Sequence, residues 1–223
     1  MNGDLSPAPL NLFALTDISN ISKVNINILT HLEKQRVEYL VNQRKTFSEA
    51  KKTAQREILA IFGFKLDNLE GSESLDISIN EEDNAILLAI SIILQGHRSV
   101  GELTELLANI SNNIREDGVL NNDTIIHELV YDTRNLSLSS IRRNIENRYR
   151  ELNLNVTIPG FEKYINDFLT FAGKQPPTVV TKVATNIKLN TATLNGTVNP
   201  NLLSTTVTFE WGTTTNYGHS TIA

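Results

Sequence analysis

Near Gly173 the hydrophobic period of the chain changes, and the two periods cannot share one kind of secondary structure. Before this point apolar residues recur three and four positions apart, the spacing of a helix face. After Lys174-Gln175-Pro176-Pro177 they alternate. Val207, Phe209 and Trp211 fall on one strand face and Thr206, Thr208 and Glu210 on the other. The chain is therefore predicted to be mostly α: a helical bundle over residues 20–172, a short stiff proline linker at 173–177, and a β module over 178–223.

Composition limits what these units can be. With 40% hydrophobic and 20% charged residues, the chain can bury a core and is not of the disordered class. The formal charge is −5. Residues 174–223 hold Lys174, Lys182 and Lys188 against Glu210, a net of +2, so the rest carries −7. An acidic body argues against nucleic acid as a partner, because phosphate recognition needs a basic face. Without cysteine, disulfides and thiolate chemistry are excluded. The N-terminus has neither a basic region nor an apolar one, so no signal peptide is expected in this chain. The longest apolar run, Ala85 to Leu94, is well short of the about 20 residues that a membrane-spanning helix needs.

About seven helices are predicted. Residues 1–19 contain a short strand, Leu10 to Leu15, which either docks on the helical body or is the torn end of an upstream β-domain. Asn25 to Asn42 places Ile26, Leu29, Leu32, Val37, Leu40 and Val41 near a helical period. Thr46 and Glu49 form a capping box for a helix with Phe47, Ala50, Ala54, Ile58, Ile61 and Phe62 on one face, ended by Gly63. A polar loop covers Leu66 to Ile79. Asn80 to Gln95 is apolar nearly all round and should be the buried central helix. Ser99 and Glu102 make a second capping box, with Gly118 a C-terminal cap for that helix. Asn121–Asn135, Ser137–Leu152 and a helix opened by Pro159 complete the set.

About four strands are expected in the tail, with turns at Asn199-Pro200-Asn201 and Asn216-Tyr217-Gly218. A complete sandwich takes about seven strands and roughly 100 residues, so the β module is read as a partial antiparallel sandwich, truncated at Ala223.

Ala192 to Pro200 and Val207 to Gly218 resemble the fibronectin type III-like modules that recur in large exported bacterial surface proteins. The stretches Val24–Val41, Ala54–Phe64 and Asp83–Gly118 are similar to a helical region found beside such modules in bacterial lipoprotein-like sequences. The resemblance implies a fragment of a non-enzymatic surface protein, outer membrane-associated or extracellular. It would serve as a structural spacer, in adhesion or in ligand binding. Its partners would be other domains of the same chain and surface glycans or proteins. No catalytic residue or cofactor comes with the resemblance. Two alternatives remain open: an accessory region of an exported polysaccharide-active enzyme, and an intracellular helical interaction protein.

Several residues carry candidate chemistry. His127-Glu128 starts like a zinc-protease helix, but Tyr131 stands where the second histidine belongs, so His127 is read as a surface residue. His31, His97, His127 and His219 have no metal-ligand spacing. Asp76, Ser78 and Asn80 match the first three ligand positions of a calcium loop. Glu81 replaces the required glycine and Leu87 the required glutamate. The plainer reading makes Asn80 the cap of the central helix, with Glu81, Glu82 and Asp83 complementing its dipole. Arg142, Arg143, Arg148 and Arg150 alternate with Glu146 and Glu151 and are read as a salt-bridged face. Trp211 and Tyr217 are candidate ligand contacts able to stack on a sugar, although strand aromatics usually form core. The threonine run 204–215 offers hydroxyls for O-glycosylation.

Overall fold

The computed structural model describes residues 9–19, 23–65, 69–173, 177–200, 205–214 and 216–222. The chain divides into two compact units, Met1–Phe171 and Ala172–Ala223. The proline linker falls largely outside the described residues, as 174–176 are not among them.

The first unit holds α1 (Ile28–Asn42), α2 (Phe47–Ile61), α3 (Glu82–Gln95), α4 (Val100–Ile114), α5 (Asp123–Arg134), α6 (Leu138–Glu151) and all but the last residue of α7 (Phe161–Ala172). These are the seven helices that the apolar period predicts. In α3 every residue from Asn84 to Leu94 except Ser91 is buried, so the helix without a polar face is the core helix. At 14 residues it is short, and no single described helix is long and apolar enough to cross a membrane. Both predicted capping boxes form: Thr46 with Glu49 at α2, and Ser99 with Glu102 at α4. Gly63 follows α2 at φ +80°, and its amide donates to the Ala60 carbonyl.

Helix starts differ from expectation where side chains outside the period decide them. Asn27 caps α1, accepting from the Leu29 and Thr30 amides while the Thr30 hydroxyl accepts from the Asn27 amide. Ile26 thus precedes the helix and is exposed, and so is Val41. At α3 the N-cap is Glu81, not Asn80. Asp76 and Asn84 fix the preceding loop: the Asp76 amide donates to Asn84 Oδ1 at 2.7 Å, so the chain enters the helix one residue late. The predicted loop before α3 contains a 3-10 turn at Ser72–Ser74 with Ser72 buried. Pro159 lies two residues ahead of α7 rather than in its first turn.

Leu10 to Leu15 is not a strand. Without a neighbouring strand, its backbone is tied to the bundle by side chains instead. The Thr30 hydroxyl donates to the Phe13 carbonyl at 3.1 Å, and Leu15 packs against the cluster of Val37, Leu40, Ala50 and Ala54.

The second unit contains β1 (Thr178–Thr185), β2 (Thr193–Asn199), β3 (Thr208–Trp211) and β4 (His219–Ile222). β1 pairs antiparallel with β2, from Thr178 opposite Asn199 to Thr185 opposite Thr193, with a register irregularity between Lys182 and Thr185. β3 pairs antiparallel with β4, from Thr208 opposite Ile222 to Trp211 opposite His219. Phe209 packs across β2 at Gly196, where an added Cβ would meet the Val180 carbonyl at 3.2 Å and the Phe209 ring at 3.4 Å. The chain is thus mostly α, followed by a small partial sheet region.

A candidate ligand-binding groove

The N-terminal segment, the entry to α1, the loop before α3, and the faces of α3 and α4 line an open surface groove of about 610 Å³. Its apolar wall includes Leu12, Ile26, Ile28, Ile77, Leu87 and Leu103. Its polar lining is Asn25, Asn27, Asp76, Ser91 and Gln95.

Each of those polar side chains holds the protein together. Asn27 caps α1 and also donates from Nδ2 to the Ser72 carbonyl at 2.6 Å. Asn25 donates to the Leu75 carbonyl at 3.1 Å. Ser91 donates to the Leu87 carbonyl one turn back at 2.7 Å, and Gln95 to the Arg98 carbonyl. Asp76 accepts from the Ser78 amide at 3.0 Å and the Ser78 hydroxyl at 2.6 Å, and pairs with Lys23 at 3.1 Å. These contacts hold the Asp76 pKa below the usual carboxylate value, the Ser78 hydroxyl contributing most. The groove therefore presents hydrocarbon, and its one carboxylate is committed.

The first unit also holds a buried ionic cluster. Glu33 of α1 is 1% exposed. Lys51 Nζ of α2 stands 2.5 Å from Glu33 Oε2 and 3.0 Å from Glu73 Oε2. The Ser72 hydroxyl donates to Glu33, and the Thr16 hydroxyl donates to Glu73 at 2.9 Å. One ammonium thus bridges two carboxylates from separate elements. Burial pushes the Glu33 pKa up, although Lys51 opposes this. Burial works against the Lys51 charge, but Glu33 and Glu73 outweigh it and hold its pKa up. For Glu73 burial is again the largest influence, yet its own backbone amide, Lys51 and Thr16 together hold its pKa down.

Two further clasps join helices. Arg36 donates to both oxygens of Glu57, at 2.7 and 3.0 Å, and to the Arg115 and Glu116 carbonyls beyond α4. Arg142 donates to both oxygens of Glu162, at 2.6 and 2.7 Å, and to the Ile158 and Pro159 carbonyls. Bidentate pairs of this kind fix geometry as well as supply energy.

Asp76 and Ser78 meet in a local turn, whereas Asn80 is exposed and outside it. Among the described residues, no three histidine, aspartate or glutamate side chains converge to hold a metal. His127 is half-buried, not a surface residue, and its Nε2 is enclosed without a hydrogen-bond partner. Arg148 pairs with Glu151 at 3.2 Å as the helix-face reading predicts, but Arg142 reaches across to α7. Trp211 is 47% exposed and stacks on His219 with ring centroids 4.4 Å apart, so it is not core. Tyr217 is 51% exposed in the turn between β3 and β4. In the threonine run, Ser204 and Thr215 lie outside the described residues.

Sequence reasoning missed the groove and the Glu33–Lys51–Glu73 cluster. The signal available for the cluster was a charged residue at α1 and α2 positions that the apolar period turns inward. Compared with known proteins, the chain matches no family model, no curated protein and no solved structure.

Proposed function

We propose that this chain is a non-enzymatic module of a bacterial cell-surface protein, with a ligand-binding helical unit joined to a β module. The groove carries this reading. A catalytic cleft needs a titratable group positioned to exchange a proton with substrate. Here the lining is hydrocarbon and committed amides, and Asp76 is held by Lys23 and Ser78. Such a surface suits an uncharged apolar ligand or an apolar segment of a partner. Support for surface display comes from the resemblance of residues 192–200 and 207–218 to fibronectin type III-like modules; strands occur in both stretches. Surface proteins and glycans are the partners this reading names, alongside other domains of the same chain.

Two measurements test it. Antibodies raised against the chain label intact source cells, whereas labelling only after permeabilisation contradicts surface display. The uncharged dye N-phenyl-1-naphthylamine binds the full chain saturably, and Leu12→Lys or Ile26→Lys weakens it at least about tenfold. A signal that does not saturate, or that ignores both variants, contradicts the groove.

The exposed Trp211 favours a second reading, an accessory region of an exported polysaccharide-active enzyme. An indole with one face stacked on His219 leaves its other face to meet a sugar ring.

A further inference from the structure

Among the described residues, the strands of the β unit leave one edge of β1 unpaired. Among the described residues β1 pairs only with β2, and every β1 residue except Ala184 is exposed. Val179 is 67% exposed and Val180 60%. A strand edge presents a row of amides and carbonyls that template another strand. Two-stranded ribbons are marginal alone and gain stability from a third or fourth strand. The regular part of β1, residues 178–182, carries no carboxylate and a single lysine.

We propose that β1 pairs antiparallel with β1 of a second copy of this chain, making one continuous four-stranded sheet. A two-fold axis through an antiparallel pair must place one residue opposite itself, since adjacent pairs alternate in hydrogen-bond type. Centring the axis on Val180 uses the whole regular stretch. Val180 then faces Val180 of the second copy, Val179 faces Thr181, and Thr178 faces Lys182. Threonine and valine in opposition are favourable cross-strand pairs. The two lysines stand four residues apart along the strands, roughly 13 Å, which is beyond the about 8 Å over which salt leaves charges in contact. Centring on Thr181 instead sets Val180 against Lys182 and draws Val183 in from the irregular segment. The register on Val180 is therefore the self-complementary one.

The test uses the full chain. Sedimentation equilibrium up to about 500 µM shows reversible dimers, as befits a small interface. Val180→Lys sets like charges directly opposite each other and raises the dimer dissociation constant at least about tenfold, with the helical melt unchanged. The chain has no cysteine, so an introduced thiol reports register. Val180→Cys forms a disulfide-linked dimer under mild oxidation, because directly opposed strand residues lie within disulfide reach. Val183→Cys does so far more slowly. A chain that stays monomeric, a dimer indifferent to Val180→Lys, or equal cross-linking at 180 and 183 would each overturn the proposal.

Discussion

Lys51 Nζ lies 2.5 Å from Glu33 Oε2, and this contact joins the two helices that open the chain inside the protein rather than on its surface. Glu33 is 1% exposed, so its charge depends on the one ammonium beside it. Removing one partner of a buried pair leaves the other uncompensated. Lys51→Met is therefore expected to destabilise the helical unit by about 3–5 kcal/mol. Glu33→Gln, which keeps an acceptor for Ser72 and Lys51, should cost clearly less. Equilibrium denaturation in urea compares the two, and equal losses would contradict a buried charge pair.

The same pair sets a pH dependence with a definite sign. The Glu33 carboxyl has its pKa raised above its ordinary value of 4.5, so the folded state takes up this proton more readily than the unfolded chain. Its contribution to stability therefore falls as pH rises from the ordinary value through the raised one. Glu73, with its pKa lowered, contributes stability above the ordinary value that is lost as pH falls below it. Comparing wild type with Glu33→Gln isolates the first effect. The variant should gain stability relative to wild type as pH climbs from 4.5 toward neutrality. A difference that is flat with pH would contradict the assignment.

Gly118 guards the Arg36–Glu57 clasp. Its φ is +75°, and an added Cβ would fall 2.3 Å from the Glu57 carboxyl carbon. Gly118→Ala combines a strained backbone with displacement of Glu57 from Arg36, an expected loss of about 2–4 kcal/mol. A Cβ added at Gly160 would meet nothing within 4 Å, so Gly160→Ala should stay within about 0.5 kcal/mol of wild type. Thermal melts of the two alanine variants check the contrast, which similar shifts would contradict.

Leu88 sits at the middle of α3 and is 2% exposed. Leu88→Asp buries an unpaired carboxylate in hydrocarbon and should abolish the cooperative melt of the helical unit. A normal melting temperature would contradict the buried core helix.

Trp211 is the one tryptophan of the chain, which makes its fluorescence a local reporter for the β unit. Titration with soluble oligosaccharides should shift or quench that emission if the exposed indole face meets sugar, and Trp211→Ala should abolish retention on the same glycan immobilised. Unchanged emission across the titrated glycans would remove the sugar-contacting reading while leaving the helical groove untouched.

Sequence reading succeeded where the deciding interactions are local. The period of α3 announces burial, and the pairs Thr46–Glu49 and Ser99–Glu102 act within a single turn. It failed by a few residues at α1, where Asn27 and Thr30 form a box that the apolar period conceals. It failed at Asn80 because Asp76 and Asn84, contacts across the loop, place the start of α3. Leu10 to Leu15 reads as a short apolar strand, but a short apolar run says nothing about whether a partner strand is present. Arg142 has a carboxylate one turn away in Glu146, yet it selects Glu162, which α7 brings to it. The groove was illegible for the same reason: Leu12, Ile26, Ile77 and Leu103 come together only when four elements have packed. Nothing in the spacing of those residues marks them as neighbours.

The most direct test of the account is a two-dimensional NMR titration of the full chain with N-phenyl-1-naphthylamine. The account predicts saturable shifts at Leu12, Ile26, Ile77, Leu87 and Leu103, with the β unit unmoved. Shifts scattered over the surface, or none at these five residues, would contradict a binding groove in the helical unit.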